Sequence, residues 1–208
     1  MLEREKLHLY AITDRHWLNG RTLESQVREV LEGGATMLQL REKALSPEAF
    51  LAEAHGIKAV CDEFGVPLII NDNVEVARQL GAGVHLGQSD MALREARRIL
   101  GTTAVIGVSC KTVELAREAE ANGADYLGVG AVFPTSTKTD ARELPHETLV
   151  AICHAVMIPV VAIGGITLQN ARELVGTGIA GVAVISALFG APSPRAAAQA
   201  FRSLDLSL

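Results

Sequence analysis

The sequence predicts an α/β fold: a single (β/α)8 barrel running from residue 1 to residue 208. Three observations point there. Eight short apolar runs, at 7–12, 36–40, 68–71, 83–86, 104–109, 126–130, 160–164 and 181–186, alternate with amphipathic stretches. Most of these runs are apolar at consecutive positions, as strands covered on both faces of a parallel sheet are. A glycine turn introduces every second strand, at Gly33-Gly34-Ala35, Gly81-Ala82-Gly83, Gly123-Ala124-Asp125 and Gly178-Ile179-Ala180-Gly181. Glycine suits a helix end that must turn through positive φ. Four such steps of two units make eight strand–helix units. An open doubly wound sheet shares the alternation. The even size of the units, with no reversal point, favours closure.

Composition narrows the function classes. With 208 residues, 49% of them apolar, the chain can bury a full core. A net charge of −5 argues against nucleic acid or an anionic membrane as the main partner. An anionic ligand must then be met by a local cluster of positive groups. No apolar run reaches the roughly 18 residues of a membrane span, and Met1-Leu2-Glu3-Arg4-Glu5-Lys6 is unlike a signal peptide. Cys61, Cys110 and Cys153 are odd in number and far apart, as reduced thiols of a cytoplasmic protein are.

In a barrel of this kind the active site lies at the carboxyl ends of the strands, so each unit is judged by how its strand ends. The first carries Tyr10, which lines a heterocycle pocket or simply fills the barrel, and Trp17 follows it. The second ends in Gln39-Leu40-Arg41-Glu42-Lys43, and Pro47 opens the helix expected over 47–64. The third ends in Asn71-Asp72 before a helix at 73–80, and the fourth runs through His85-Leu86-Gly87-Gln88 to Asp90. Asp72 and Asp90 follow neighbouring strands, whose axes lie about 4.8 Å apart. Two carboxylates converging there suit a hard cation such as Mg²⁺, which takes one or two protein carboxylates. Each also suits the N-cap of the helix that follows it, and spacing leaves both roles open. His85, inside an apolar run, reads as a positioned pocket or core residue.

The fifth strand ends in Ser109, with Cys110 beside it and a helix over 112–122. No His or acid is placed in sequence to activate that thiol. The sixth, Tyr126-Leu127-Gly128-Val129-Gly130, breaks into a loop holding Thr135, Ser136, Thr137 and Lys138. Hydroxyls clustered with a cation at a strand end are equipped to hold a phosphate. The seventh ends in Gly164-Gly165, which supplies bare backbone amides or else permits close packing, and the eighth in Ile185-Ser186. Arg41, Lys43 and Lys138, each alone, read as solvated charges. Together at one rim beside two acidic metal candidates they resemble a pyrophosphate site.

These pieces, in order and spacing, resemble the thiamine-phosphate synthase family across essentially the whole chain. The resemblance rests on Leu9-Tyr10, Gly34-Ala35-Thr36 through Lys43, Ile70-Asn71-Asp72-Asn73-Val74-Glu75 and Gly83-Val84-His85 through Asp90. Gly107-Val108-Ser109, Phe133-Pro134-Thr135-Ser136-Thr137-Lys138, Ala162-Ile163-Gly164-Gly165-Ile166-Thr167 and Ile185-Ser186 complete it. It implies a TIM barrel that joins a hydroxymethylpyrimidine pyrophosphate to a thiazole phosphate, or its carboxylated form, and releases pyrophosphate by a dissociative route. It further implies that Gln39, Leu40, Arg41, Glu42, Lys43, Asn71, Ser109 and Lys138 bind the pyrimidine pyrophosphate. Among these, Arg41, Lys43, Ser109 and Lys138 are implied to be catalytic. Thr135, Ser136, Thr137, Gly165, Ile185 and Ser186 would bind the thiazole phosphate, and Asp72 and Asp90 one Mg²⁺ per subunit. The loop 131–146 is expected to act as a lid carrying Lys138, and a homodimer is the family expectation.

Two other functions compete. A thiazole tautomerase shares the barrel, but uses a His after the fifth-strand serine and tends to lose the pyrophosphate-binding pieces. Here Lys111 stands where that His is expected, which departs from the commoner pattern of both families, while Arg41, Lys43, Asp90 and Thr137-Lys138 are kept. A non-catalytic thiazole-phosphate sensor would tolerate loss of a metal carboxylate or of the lid lysine, and both are present.

Overall fold

The computed structural model describes residues 2–18, 20–135 and 143–204. Eight parallel strands pair in sequence order and close: β1 (Leu9–Ile12), β2 (Met37–Leu40), β3 (Leu68–Asn71), β4 (Gly83–Leu86), β5 (Ile106–Cys110), β6 (Tyr126–Gly130), β7 (Val160–Ile163) and β8 (Gly181–Val184). β1 pairs with β2 on one side and β8 on the other, which shuts the barrel. The predicted fold class is the observed one.

The consecutive apolar runs work because successive side chains serve two different cores. On β1, Leu9 and Ala11 pack outward under the helices while Tyr10 and Ile12 point into the barrel. On β2, Leu38 and Leu40 go outward and Met37 inward. The inner core below the site is made of Leu7, Tyr10, Met37, Ile69, Tyr126 and Val161.

Around the barrel run α1 (Leu23–Glu32), α2 (Pro47–Glu63), α3 (Val74–Leu80), α4 (Leu93–Leu100), α5 (Val113–Ala121), α6 (His146–Ala155), α7 (Ser186–Phe189) and α8 (Pro194–Arg202). The starts of α1, α2, α3, α5 and α8 are held by side chains that accept from backbone N–H groups three residues on: Thr22, Ser46, Asn73, Thr112 and Ser193. Pro47 stands in the first turn of α2, as expected. The introducing turns at Gly34, Gly81, Gly123 and Gly178 all have positive φ, between 61° and 100°.

Some boundaries differ from the sequence expectation. Leu7 belongs to a 3-10 turn (Arg4–Leu7) that plugs the barrel bottom, so the first strand begins at Leu9. Ile185 and Ser186 leave β8, because Ser186 already opens α7. The unit after β7 carries a 3-10 turn (Ala171–Leu174) in place of a regular helix. Among the described residues no helix is long and apolar enough to cross a membrane.

Candidate active site

A cavity of about 590 Å³ opens at the carboxyl ends of the strands. Strand alternation carries Gln39, Asn71 and Ser109 inward from β2, β3 and β5, and the loops after the strands add the rest. Of the residues predicted from sequence, Gln39, Arg41, Lys43, Asn71, Asp72, Asp90, Ser109, Thr135, Gly165, Ile185 and Ser186 all line this one cavity. Ser136, Thr137 and Lys138, and with them the middle of the expected lid, lie outside the described residues.

Leu40 and Glu42 do not line it. Leu40 points outward into the core beneath the helices. Glu42 instead braces the loop after β2: its Oε1 accepts from the backbone N–H groups of Lys43 and Ala44, each at 2.8 Å, and its Oε2 from Arg15. Arg15 also binds Glu53 on α2. Burial would raise the Glu42 pKa, but the N–H groups of Ala44 and Lys43 and the Arg15 guanidinium bring it below the usual value. Glu42 thereby sets where the Lys43 backbone sits. Thr13, fully buried after β1, does the same for Arg41: its Oγ1 accepts from the Arg41 N–H at 2.9 Å. The Arg41 guanidinium lies 4.0 Å from Asp14.

The two carboxylates can be assigned against their capping alternative. α3 is capped by Asn73, whose side chain accepts from the Val76 N–H, so Asp72 is not its cap. Asp72 has φ 63°, a left-handed backbone rare outside glycine, and its N–H donates to the His85 carbonyl at 2.9 Å. α4 begins after Ala92 without a side-chain cap, and Asp90 Oδ2 accepts from the Gly87 N–H at 2.6 Å. Both are thus free of helix-capping duty and converge at the cavity rim. Burial, with the Asp90 carboxyl beside it, pushes Asp72 up to about 6, against the pull of Lys43 and of the Asn71 amide, which donates to Asp72 Oδ2 at 2.5 Å. Two like charges held together in a half-buried place fit a divalent cation, which relieves their repulsion. No group of three or more His, Cys, Asp or Glu side chains able to hold a metal occurs among the described residues. Two carboxylates are within what Mg²⁺ requires when phosphate oxygens and water complete its shell.

Opposite, Gly164 and Gly165 have φ 102° and 65°. A Cβ on Gly165 would lie 2.4 Å from the Pro134 carbonyl oxygen, and one on Gly164 2.5 Å from the Ala131 Cβ. Close packing against the segment after β6 therefore accounts for both glycines, which line the cavity together with Thr135 and Ser186. Cys110 lines the cavity, but burial pushes its thiol up to about 12, so it is no nucleophile at neutral pH.

The floor holds polar groups that sequence reasoning did not join. Gln39 Nε2 donates to the Tyr10 hydroxyl at 2.7 Å, and Tyr10 and Tyr126 hydroxyls are 2.8 Å apart. His85 Nδ1 lies 3.0 Å from the Tyr126 hydroxyl and Nε2 2.9 Å from Ser109 Oγ. Tyr126 had no local signal, since its partners come from strands distant in the chain.

The family model described as thiamine monophosphate synthase matches residues 9–188. The chain belongs to that family. It is 47% identical over 192 residues to the thiamine-phosphate synthase of Ruminiclostridium cellulolyticum, covering 92% of this chain and 91% of that protein. It is 44% identical over 201 residues to thiamine-phosphate synthase 2 of Streptococcus pneumoniae, covering 96% of each. The solved thiamine phosphate pyrophosphorylase of Pyrococcus furiosus superposes with a TM-score of 0.88 at 44% identity, covering 96% of this chain and 95% of that one. As a member of the family the chain is a transferase of the pyrimidinylmethyl group in thiamine biosynthesis.

Proposed function

We propose that the cavity condenses 4-amino-2-methyl-5-(diphosphooxymethyl)pyrimidine with 4-methyl-5-(2-phosphoethyl)thiazole, or its carboxylated form, giving thiamine phosphate and pyrophosphate. The observation that carries this is the convergence of Asp72 and Asp90, neither of them a helix cap, with Arg41 and Lys43 on one rim above an enclosed aromatic floor.

The bond to pyrophosphate breaks first, its electron pair leaving with the oxygen, and the positive charge spreads into the electron-rich aminopyrimidine. The thiazole nitrogen then supplies the pair for the new carbon–nitrogen bond. Little acid–base chemistry is needed. Arg41 and Lys43, with Lys138 from the loop after β6, meet the charge that builds on the leaving group. Mg²⁺ held by Asp72 and Asp90 would supply further charge neutralisation at the pyrophosphate. Gln39, Asn71 and Ser109 orient the pyrimidine, and Thr135, Ser136, Thr137, Gly165, Ile185 and Ser186 hold the thiazole phosphate on the opposite side. The arrangement places two reactants face to face, and the apolar walls Val161 and Ile163 keep water from the cation. A cytoplasmic location and a homodimer belong to the same proposal, the latter open to sizing in solution.

The test is a coupled assay of both substrates with and without Mg²⁺. Equal amounts of thiamine phosphate and pyrophosphate, dependent on Mg²⁺, are expected. A folded protein that binds the thiazole phosphate yet forms no product overturns the proposal in favour of a tautomerase or a sensor.

A further inference from the structure

Five polar side chains on the barrel floor make one unbroken hydrogen-bonded row, Gln39, Tyr10, Tyr126, His85 and Ser109, whose three inner members the substitution chemistry leaves unused. The row is built in. A Cβ on Gly107 would lie 2.0 Å from Tyr126 Cζ and 2.4 Å from its hydroxyl, so the β5 strand has given up a side chain to admit that phenol. A Cβ on Gly128 would lie 3.1 Å from His85 Cε1, a tight fit that glycine relieves. Tyr10, Tyr126 and Gln39 are buried, and burial holds both phenols well above their usual pKa, so each keeps its proton.

The row cannot be protonated link by link. A phenol has one proton to give, and a neutral imidazole has one donor and one acceptor nitrogen. With a neutral imidazole serving these two bonds, only two arrangements give every inner proton an acceptor within the row, each the full reverse of the other. Gln39 donates from Nε2, which makes Tyr10 an acceptor there and sends its proton to Tyr126. Tyr126 must then donate to His85 Nδ1, and His85 must carry its proton on Nε2 and donate to Ser109 Oγ. An imidazolium would donate from both nitrogens and leave the Tyr10 proton without an acceptor.

We propose that this row is a polarity lock: it fixes a hydrogen-bond acceptor, Gln39 Oε1, at the β2 side of the cavity and a hydrogen-bond donor, the Ser109 hydroxyl, at the β5 side. Tyr10, Tyr126 and His85 are its positioning residues. Acceptor and donor presented together match the amino group and a ring nitrogen of an aminopyrimidine. That assignment of the ligand rests on the function proposed above, whereas the direction of the row does not. An oxo-pyrimidine, with acceptor and donor exchanged, meets the wrong group at both ends.

The test reads the His85 tautomer by nitrogen-15 NMR on histidine-labelled full-length protein, with the signal assigned by loss in His85→Gln. The proton is expected on Nε2. Gln39→Glu, an acceptor toward Tyr10, is expected to reverse the row and move the proton to Nδ1, although residue 39 does not touch His85. Gln39→Glu combined with Tyr126→Phe should no longer transmit that change. A wild-type proton on Nδ1, or a tautomer indifferent to Gln39→Glu, overturns the lock. Tyr126→Phe should also raise the KM for the pyrimidine about tenfold and leave that for the thiazole phosphate within about twofold; equal effects on both overturn it. Should Tyr126→Phe fail to fold, the single Gln39→Glu tautomer measurement decides. If the wild type makes no thiamine phosphate, the functional proposal fails while the tautomer result still judges the lock.

Discussion

Asp72 and Asp90 bring their carboxyls together from the ends of β3 and β4, and the burial that this contact entails raises Asp72 to about 6. Asn73 takes the cap of α3, which leaves Asp72 for the cavity, on a left-handed backbone.

Replacing Asp72 by Asn keeps a residue that tolerates left-handed backbone while removing the charge. The variant should fold and lose about 10² to 10³ in kcat/KM, with its Mg²⁺ activation curve displaced to higher concentration. A Mg²⁺ titration of the coupled assay checks this, and an unchanged half-saturation point speaks against a metal role.

Glu42 is a brace for the Lys43 backbone in this structure, not a cavity residue. Glu42→Ala should therefore raise the KM for the pyrimidine pyrophosphate about 5-fold to 100-fold, roughly 1–3 kcal/mol in binding, with little change for the thiazole phosphate. Steady-state kinetics with each substrate varied separately distinguish the two.

Gly107 gives its space to Tyr126. Gly107→Ala overpacks the floor and should cost about 1–3 kcal/mol or more in chemical denaturation. Adding Tyr126→Leu should recover part of that loss, and independent additive losses would show that the clash lies elsewhere.

Burial places the Cys110 thiol near 12, above its ordinary 9.0. The thiolate is the disfavoured form, so at pH 8 it makes up about one part in ten thousand. Alkylation of Cys110 in the folded protein should be correspondingly slow, rise about tenfold per pH unit up to pH 10, and become fast on unfolding. Mass spectrometry of timed samples follows it.

Lys138 lies outside the described residues, and its role rests on the sequence and the family. Lys138→Ala should lower kcat by about 10² or more with an unchanged circular dichroism spectrum, as removal of a cation from a developing negative charge does. Wild-type turnover in that variant rules the role out.

The eight strands and the carboxyl-end site were legible because burial on both faces makes a parallel strand apolar at every position, and glycine marks where each second unit turns. Asp72 was legible as acidic but ambiguous, since ligand and cap demand the same residue type. The Asn73 side chain, which caps α3 itself, removed the capping alternative. Gln39 and Leu40, adjacent in sequence, were both expected to touch substrate, yet alternation sends one into the barrel and the other under a helix. Tyr10 and Tyr126 are 116 residues apart.

The sequence by itself determined the barrel, the family and the rim of cations and carboxylates, because those depend on local periodicity and on residue types at strand ends. Only the tertiary structure decided that Glu42 is a brace, that Gly107 makes room for a phenol, and that Gln39, Tyr10, Tyr126, His85 and Ser109 form one row. Which way a side chain points, and what it meets across a closed sheet, is set by register and closure, and neither is written in any single stretch of the chain.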